Sequence, residues 1–200
     1  MSASGGNGYA KGRERREEIL RVAGELFADR GYRGTSLTQI AQRAGLTDAG
    51  LLHHFPSKQS LLLAVLERRD EADGAEVRRA VGDTRTPIEA LVELCRRNAE
   101  TPQLVQLFTV MAAESLDERH PGHQAFVERY RARRRGTAQL LADAQRAGLV
   151  DPGLDPDRLA AQVLAMFDGL QLQWLRDPDA VDMVGLLDEF LARLRPAAGG

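Results

Sequence analysis

Between Thr35 and Lys58 the chain reads TSLTQIAQRAGLTDAGLLHHFPSK, and its residue types suit gripping a polyanion more than breaking a bond. Thr35, Thr47 and Lys58 stand where short helices should begin. There, hydroxyl or ammonium donors sit beside free backbone N–H groups, an arrangement that binds phosphate oxygens. Ser36 joins them as the cap of the first of these helices. Thr47, Asp48, Ala49, Leu52 and His53 are the outward residues of the next, which has the size that fits the DNA major groove, with Gly50 and His54 beside them. Lys58 is the most telling, because a cation in a helix's first turn opposes the dipole at a cost of under ~1 kcal/mol. A phosphate beside it removes that conflict, so contact with phosphate outranks mere solvation.

Several positions keep two readings. Asp48 either favours the helix N-terminus electrostatically or accepts a hydrogen bond from a cytosine amino group. Gly50 costs ~1 kcal/mol in helix propensity; it either lets the DNA backbone come close or is tolerated. His53 and His54 are helical neighbours, pointing about 100° apart, so surface contact and core packing outrank a metal pair. Lys11, Arg13, Arg15 and Arg16 form a basic run just ahead. It either reaches phosphates or a minor groove, or is solvated in a frayed terminus.

Positioning these residues takes a helical scaffold. The apolar stripe Ile19, Ala23, Leu26 and Phe27 predicts a first helix from about Arg13 to Asp29, stopped by Gly31 in a left-handed cap. Ser36 and Gln39 have the spacing of a capping box for a second helix that turns Ile40, Ala41 and Ala44 inward. Gly45 supplies the turn, Leu46 plugs the gap beneath it, and Thr47 caps a third helix whose Leu51 faces the core. Phe55 closes this small domain. Pro56 and Ser57 lead into a fourth helix from about Lys58 towards Val77, and Gly82 to Thr86 reads as a break. Thr86-Pro87 opens a helix over about 87–99, Pro102 another to about Leu116, and Asp117 to Gly122 is a polar loop. A long helix follows from about His123 to Ala147, then one from Pro156 to about Leu175 and a last one ending near Leu194. With no convincing strand or repeat, the expected fold is all-α, about nine helices. The expected domains are a flexible tail over 1–12, a DNA-binding domain over 13–58, a C-terminal domain over 59–195 and a tail over 196–200.

Composition narrows the function classes. Of 200 residues 43% are hydrophobic and 28% charged, with Leu, Ala, Arg and Glu abundant, which fits a helical core in a water-facing shell. The lone cysteine, Cys95, excludes an intramolecular disulfide framework and a multi-thiol metal site. No Gly-rich phosphate loop, metal cluster or nucleophile–base–acid set is legible, so an enzyme is disfavoured and no cofactor or metal is expected. No stretch approaches the ~18 apolar residues of a membrane span, and the N-terminus is not a signal peptide; the expected location is cytoplasmic. The net charge of −2 hides an asymmetry: residues 1–70 carry 11 basic and 8 acidic groups, and the acidic excess lies beyond them. That balance permits DNA binding.

From about Arg15 to Leu66, ELFADRGYRGTS followed by LTQIAQRAGLTDAGLLHHFPSKQSLL resembles the TetR family of transcriptional regulators. Further on, FVERYRARRRGTAQLLADAQRAGLV and DGLQLQWL resemble a common C-terminal domain of that family more loosely. The resemblance implies a homodimer with one DNA-binding domain per chain, an effector pocket in each C-terminal domain, and a small molecule that releases a palindromic operator. Such release requires the ligand to bind the two states with different affinity. The run Leu51-Leu52-His53-His54-Phe55 departs from the family, where tyrosines are frequent; Leu52 cannot donate to phosphate and instead touches a thymine methyl or packs. Asp48 stands where the family is often basic or neutral.

In the C-terminal half, Leu104, Phe108, Met111, Phe126 and Tyr130 are the candidate lining of an effector pocket, against the plainer reading of ordinary core. Arg131, Arg133, Arg134 and Arg135 are a solvated face, or one pairs with an acidic effector. Leu159, Val163, Met166, Phe167, Leu170 and Trp174 on one helix, and Met183, Leu187, Phe190, Leu191 and Leu194 on the last, are broader apolar faces than one contact requires. They are the candidate dimer interface, as a two-fold helix bundle. The alternative function is a regulator of the same fold controlled by a protein partner, with no small-molecule effector.

Overall fold

The structure is a computed structural model that describes residues 5–83, 86–120 and 122–196. Among those residues it has nine helices and no strand: α1 (Gly5–Gly34), α2 (Leu37–Arg43), α3 (Asp48–His54), α4 (Lys58–Asp83), α5 (Pro87–Ala99), α6 (Pro102–Glu114), α7 (His123–Arg146), α8 (Pro156–Arg176) and α9 (Met183–Ala192). The chain divides into two compact units, Met1–Arg69 and Asp70–Gly200, with the divide inside α4. No described helix is long and apolar enough to cross a membrane.

In the first unit Ile19, Ala23, Leu26 and Phe27 of α1 are buried with Ile40, Ala41, Leu51, Phe55, Leu61 and Leu62. α1 begins at Gly5, well before the expected Arg13. Ala10 to Glu18 is rich in good helix formers, and extending a nucleated helix is easy compared with starting one. Residues 1–4 of the expected tail, and 197–200 of the other, lie outside the described residues. At Gly31 the backbone reaches φ 69, ψ 174. This is the region only glycine enters readily, and not the left-handed cap expected there. α2 does have that cap: Gly45 has φ 66, its N–H donates to Gln42 O at 3.1 Å, and the Leu46 N–H donates to Ala41 O at 2.8 Å. This paired closure satisfies the last carbonyls of α2 and sets the turn into α3.

The second unit packs α5, α7, α8 and α9 around one core that includes Ile88, Leu91, Cys95, Leu141, Val150, Val163, Phe167, Leu187 and Leu191. Thr86 and Glu89 form a capping box ahead of Pro87, and Asp155 caps α8 ahead of Pro156. Of the expected break over 82–86, Gly82 and Asp83 are helical, while Thr84 and Arg85 lie outside the described residues. Pro121 of the polar loop lies outside them as well.

The candidate dimer residues fall mostly within the chain's own core. Leu159, Val163, Phe167, Leu170, Met183, Leu187, Leu191 and Leu194 are buried within a single chain, and Met166, Trp174 and Phe190 pack partly buried against the same cluster. Two neighbouring helices, α5 and α7, consume those faces, which periodicity along one helix cannot reveal. The large apolar side chains of α8 and α9 that remain in solvent are Leu172, 44% exposed, and Leu186, 43% exposed.

Candidate nucleic-acid interface and inner polar cluster

The α2–turn–α3 unit sets a row of side chains in solvent. Thr47, Asp48, Ala49, Leu52 and His53 are exposed, while Leu51 on the opposite side is fully buried. Buried Leu51 and Phe55 fix the rotation of α3, so the direction of the outward row follows from the core. Thr47 caps α3 by accepting the Gly50 N–H at 3.1 Å. A Cβ on Gly50 would meet Thr47 Oγ1 at 3.3 Å and a Leu46 methyl at 3.6 Å. The absent side chain therefore makes room for the cap and for Leu46, a local reason beside the two expected. His54 is half-buried, its ring 5.8 Å from that of His53 and steeply inclined to it. Ser36 caps α2 in the expected reciprocal box with Gln39.

Thr35 behaves differently from its expected part. It is 1% exposed, and its hydroxyl lies 3.0 Å from Leu26 O and 2.9 Å from Gly31 O. A donor spent on the carbonyls around the α1 kink cannot also be given to a phosphate. Lys58 is half-buried with Nζ 4.3 Å above the Tyr32 ring, and burial pushes its pKa down. The ring face supplies part of the stabilisation that the dipole argument had assigned to phosphate. The basic run ahead of α1 is partly occupied as well. Arg15 donates to Ala44 O at 3.2 Å, capping the end of α2, and Arg16 stacks 4.9 Å above Phe55. Lys11 and Arg13 stay exposed.

Sequence reading missed Thr38. Its hydroxyl donates to Asp48 Oδ2 at 2.7 Å, tying α2 to the first residue of α3. Asp48 therefore has an intramolecular partner before any DNA arrives. Nothing in the spacing of Thr38 and Asp48 announces this bond, because the turn at Gly45 brings them together.

The second unit holds its polar chemistry inside. Phe108 and Met111 on α6 and Phe126 on α7 are buried, and Leu104 and Tyr130 half-buried. The Phe108 ring centre lies 5.8 Å from that of Phe126 and 6.3 Å from that of Tyr130. Over Phe108 lie two guanidinium groups, Arg129 at 4.4 Å and Arg133 at 5.7 Å, while Arg131, Arg134 and Arg135 are exposed. Arg129 also forks onto Asp70 of α4, with Nη2 donating to Oδ1 at 2.9 Å and Nε 2.7 Å from Oδ2. The Tyr130 hydroxyl donates to Asp168 Oδ2 at 2.8 Å, whereas Asp168 Oδ1 is buried without a hydrogen-bond partner. Burial pushes the Asp168 pKa up, against the bond from Tyr130 and the charges of Arg133 and Arg129. Burial, then the Asp168 charge, push the Tyr130 phenol up as well. Arg129, Asp168 and Asp70 were not among the expected residues. The one legible signal was an acid breaking the apolar run Met166-Phe167-Asp168-Gly169-Leu170. His120 and His123 serve the α6–α7 loop: His120 Nδ1 accepts the Gly122 N–H at 3.2 Å, and His123 Nδ1 lies 2.8 Å from Ser115 O.

Comparison with known proteins gives a consistent grouping. A family model described as bacterial regulatory proteins, tetR family, matches residues 19–65, and one for the C-terminal domain of BetI-type transcriptional repressors matches residues 89–196. The HTH-type transcriptional regulator TtgR of Pseudomonas putida is 27% identical, over 92% of this chain and 94% of its own. The crystal structure of Thermus thermophilus FadR, a TetR family repressor in complex with lauroyl-CoA, is 27% identical with a TM-score of 0.66, covering 92% of this chain and 100% of that one. A putative transcriptional regulator from Saccharomonospora viridis in complex with choline is 26% identical with a TM-score of 0.66, covering 90% and 95%.

Proposed function

The chain belongs to the TetR family of bacterial regulatory proteins, and from that premise we propose that it is a homodimeric repressor released from a palindromic operator by a small-molecule effector. Its relatives are transcriptional regulators and not enzymes, and it is a DNA-binding regulator like them. The observation that carries the reading is the solvent-facing row of α3, Thr47, Asp48, Ala49, Leu52 and His53, above a buried Leu51. A rigid helix with hydroxyl, carboxylate, apolar and imidazole groups on one side has the chemistry to read base edges. Ser36, Thr47, Lys58, Lys11 and Arg13 serve the phosphates in this reading, with Gly50 and His54 supporting α3; Thr35 acts only through the scaffold. The reader works in the cytoplasm, where the chromosome is.

Two copies are needed to read two half-sites one or more helical turns apart. Leu172 of α8 and Leu186 of α9, with half-buried Phe190 and the exposed small residues Ala161 and Ala165, form the apolar surface that a second copy would cover. Leu172→Glu with Leu186→Glu should give a folded monomer by sedimentation and a loss of operator affinity of a hundredfold or more, on the order of 3 kcal/mol. An unchanged dimer would remove this face from consideration.

The DNA test is footprinting on the DNA flanking its own gene, with a salt titration. A protected two-fold sequence whose affinity falls steeply with salt is the expected result. No specific footprint on any genomic DNA would sink the reading.

A further inference from the structure

The inner cluster has chemistry that narrows its ligand. The faces of Phe108, Phe126 and Tyr130 attract cations through the ring quadrupole, and a cation of the chain itself, the Arg129 guanidinium, lies 4.4 Å above Phe108 and 5.9 Å from the Phe126 centre. Next to these rings, at the far end of Tyr130, Asp168 keeps one oxygen on the tyrosine hydroxyl and the other buried with no hydrogen-bond partner, within reach only of the charges of Arg133 and Arg129. An acceptor left open in the interior is costly until a donor or a cation meets it. Arg129 is held elsewhere, forked onto Asp70 with both side chains mostly buried, at 15% and 27% exposure.

We propose that the effector is an organic ammonium compound that takes the place of the Arg129 guanidinium over Phe108 and turns its cationic head or N–H towards Asp168 Oδ1. The proposal rests on the effector-release reading and adds to it the ligand class and the residue that gives way. Arg129 is a self-ligand, holding the cation place while the site is empty. Arg129 and Arg133, 4.4 and 5.7 Å from the Phe108 centre, balance the charges of Asp70 and Asp168, so the selective feature is the open Oδ1, which needs a donor that an ammonium brings and a carboxylate does not. Once displaced from the ring, Arg129 loses the contact that fixes its fork on Asp70 of α4, the helix that starts at Lys58. Ligand binding thereby weakens a contact of that helix and so discriminates between two states of the chain.

The test is titration calorimetry on the full chain with benzylammonium chloride and sodium benzoate, two ring-matched probes of opposite charge. Benzylammonium should bind saturably and at least about tenfold tighter than benzoate. The Arg129→Met variant should bind benzylammonium about tenfold tighter still, because the resident competitor is gone. In Asp168→Asn, benzylammonium should weaken about tenfold or more while benzoate does not weaken, each factor being the worth of one cation–ring or charge-assisted contact. Where Arg129→Met does not fold, the wild-type probe pair and Asp168→Asn decide the matter. Benzoate binding as tight as benzylammonium, an undiminished benzylammonium affinity in Asp168→Asn, or no saturable benzylammonium binding overturns the proposal. A footprint that persists through such a failure leaves the DNA reading standing. Loss of the footprint with ammonium binding intact would instead fault the DNA reading alone.

Discussion

In the N-terminal unit the side chains of interest stand in solvent, on a helix whose buried Leu51 and neighbouring Phe55 hold it in place. In the C-terminal unit the corresponding chemistry is half-buried: Arg129 and Tyr130 border the Phe108 ring, Asp168 holds the tyrosine hydroxyl, and its other oxygen is buried with no hydrogen-bond partner. The exposed row costs the fold little, since water satisfies it until a partner arrives. The inner cluster is a standing cost in stability, of the kind proteins retain where a ligand must bind. A surface reader can therefore be altered with small effects on folding, whereas an interior one cannot.

The sharpest way to break this contrast is through the two cores. Leu51→Ala and Leu141→Ala each remove a fully buried side chain, and each should cost about 2–5 kcal/mol in urea unfolding. Leu51→Ala should also abolish the operator footprint while leaving benzylammonium binding within about twofold. Leu141→Ala should weaken ligand binding first. Equal loss of both activities in both variants would mean that the units do not work separately.

Asp168→Asn probes the inner cost alone. Burial raises the native carboxyl pKa above the ordinary 3.8, so the native state holds that proton more tightly than the unfolded chain. The stability from this group is complete below about 3.8 and declines as pH rises through the native value. The asparagine variant lacks that decline and should melt higher than the unaltered protein at pH 7, by a margin that shrinks towards pH 4. Scanning calorimetry between pH 4 and 7 decides it; a lower melting temperature at pH 7 would show that the carboxylate is well satisfied.

The smallest effect belongs to the outer row. Thr38→Val removes the bond to Asp48 Oδ2 and should cost about 1 kcal/mol or less in stability. Sequence selection on random DNA separates the roles of Asp48. If Asp48 reads a base from the orientation Thr38 gives it, Thr38→Val and Asp48→Ala relax preference at one shared position. If Asp48 only serves the helix, both leave preference unchanged.

Local rules made much of this legible in the sequence. The capping box Ser36–Gln39, the pair Thr86-Pro87, the prolines at 102 and 156, and the glycine at 45 are signals whose physics is complete within a few residues, and the helices begin or end where they say. The apolar stripes told which residues are interior, and with the motif from Gly31 to Lys58 they identified the family. They could not tell interior from interface, because Leu159 or Leu187 satisfies either neighbour equally and only the placement of α5 and α7 chose. In the same way, a hydroxyl at Thr35 or a cation at Lys58, Arg15 or Arg16 declares what it can bond but not to whom. The kink at Gly31 took Thr35, Tyr32 took Lys58, and the end of α2 and Phe55 took the two arginines. Type and spacing along the chain determined the elements and the class of chemistry. Contacts between residues far apart in sequence decided which groups stay available, as with Tyr130 and Asp168, because a polar group's partner is set by distance in space.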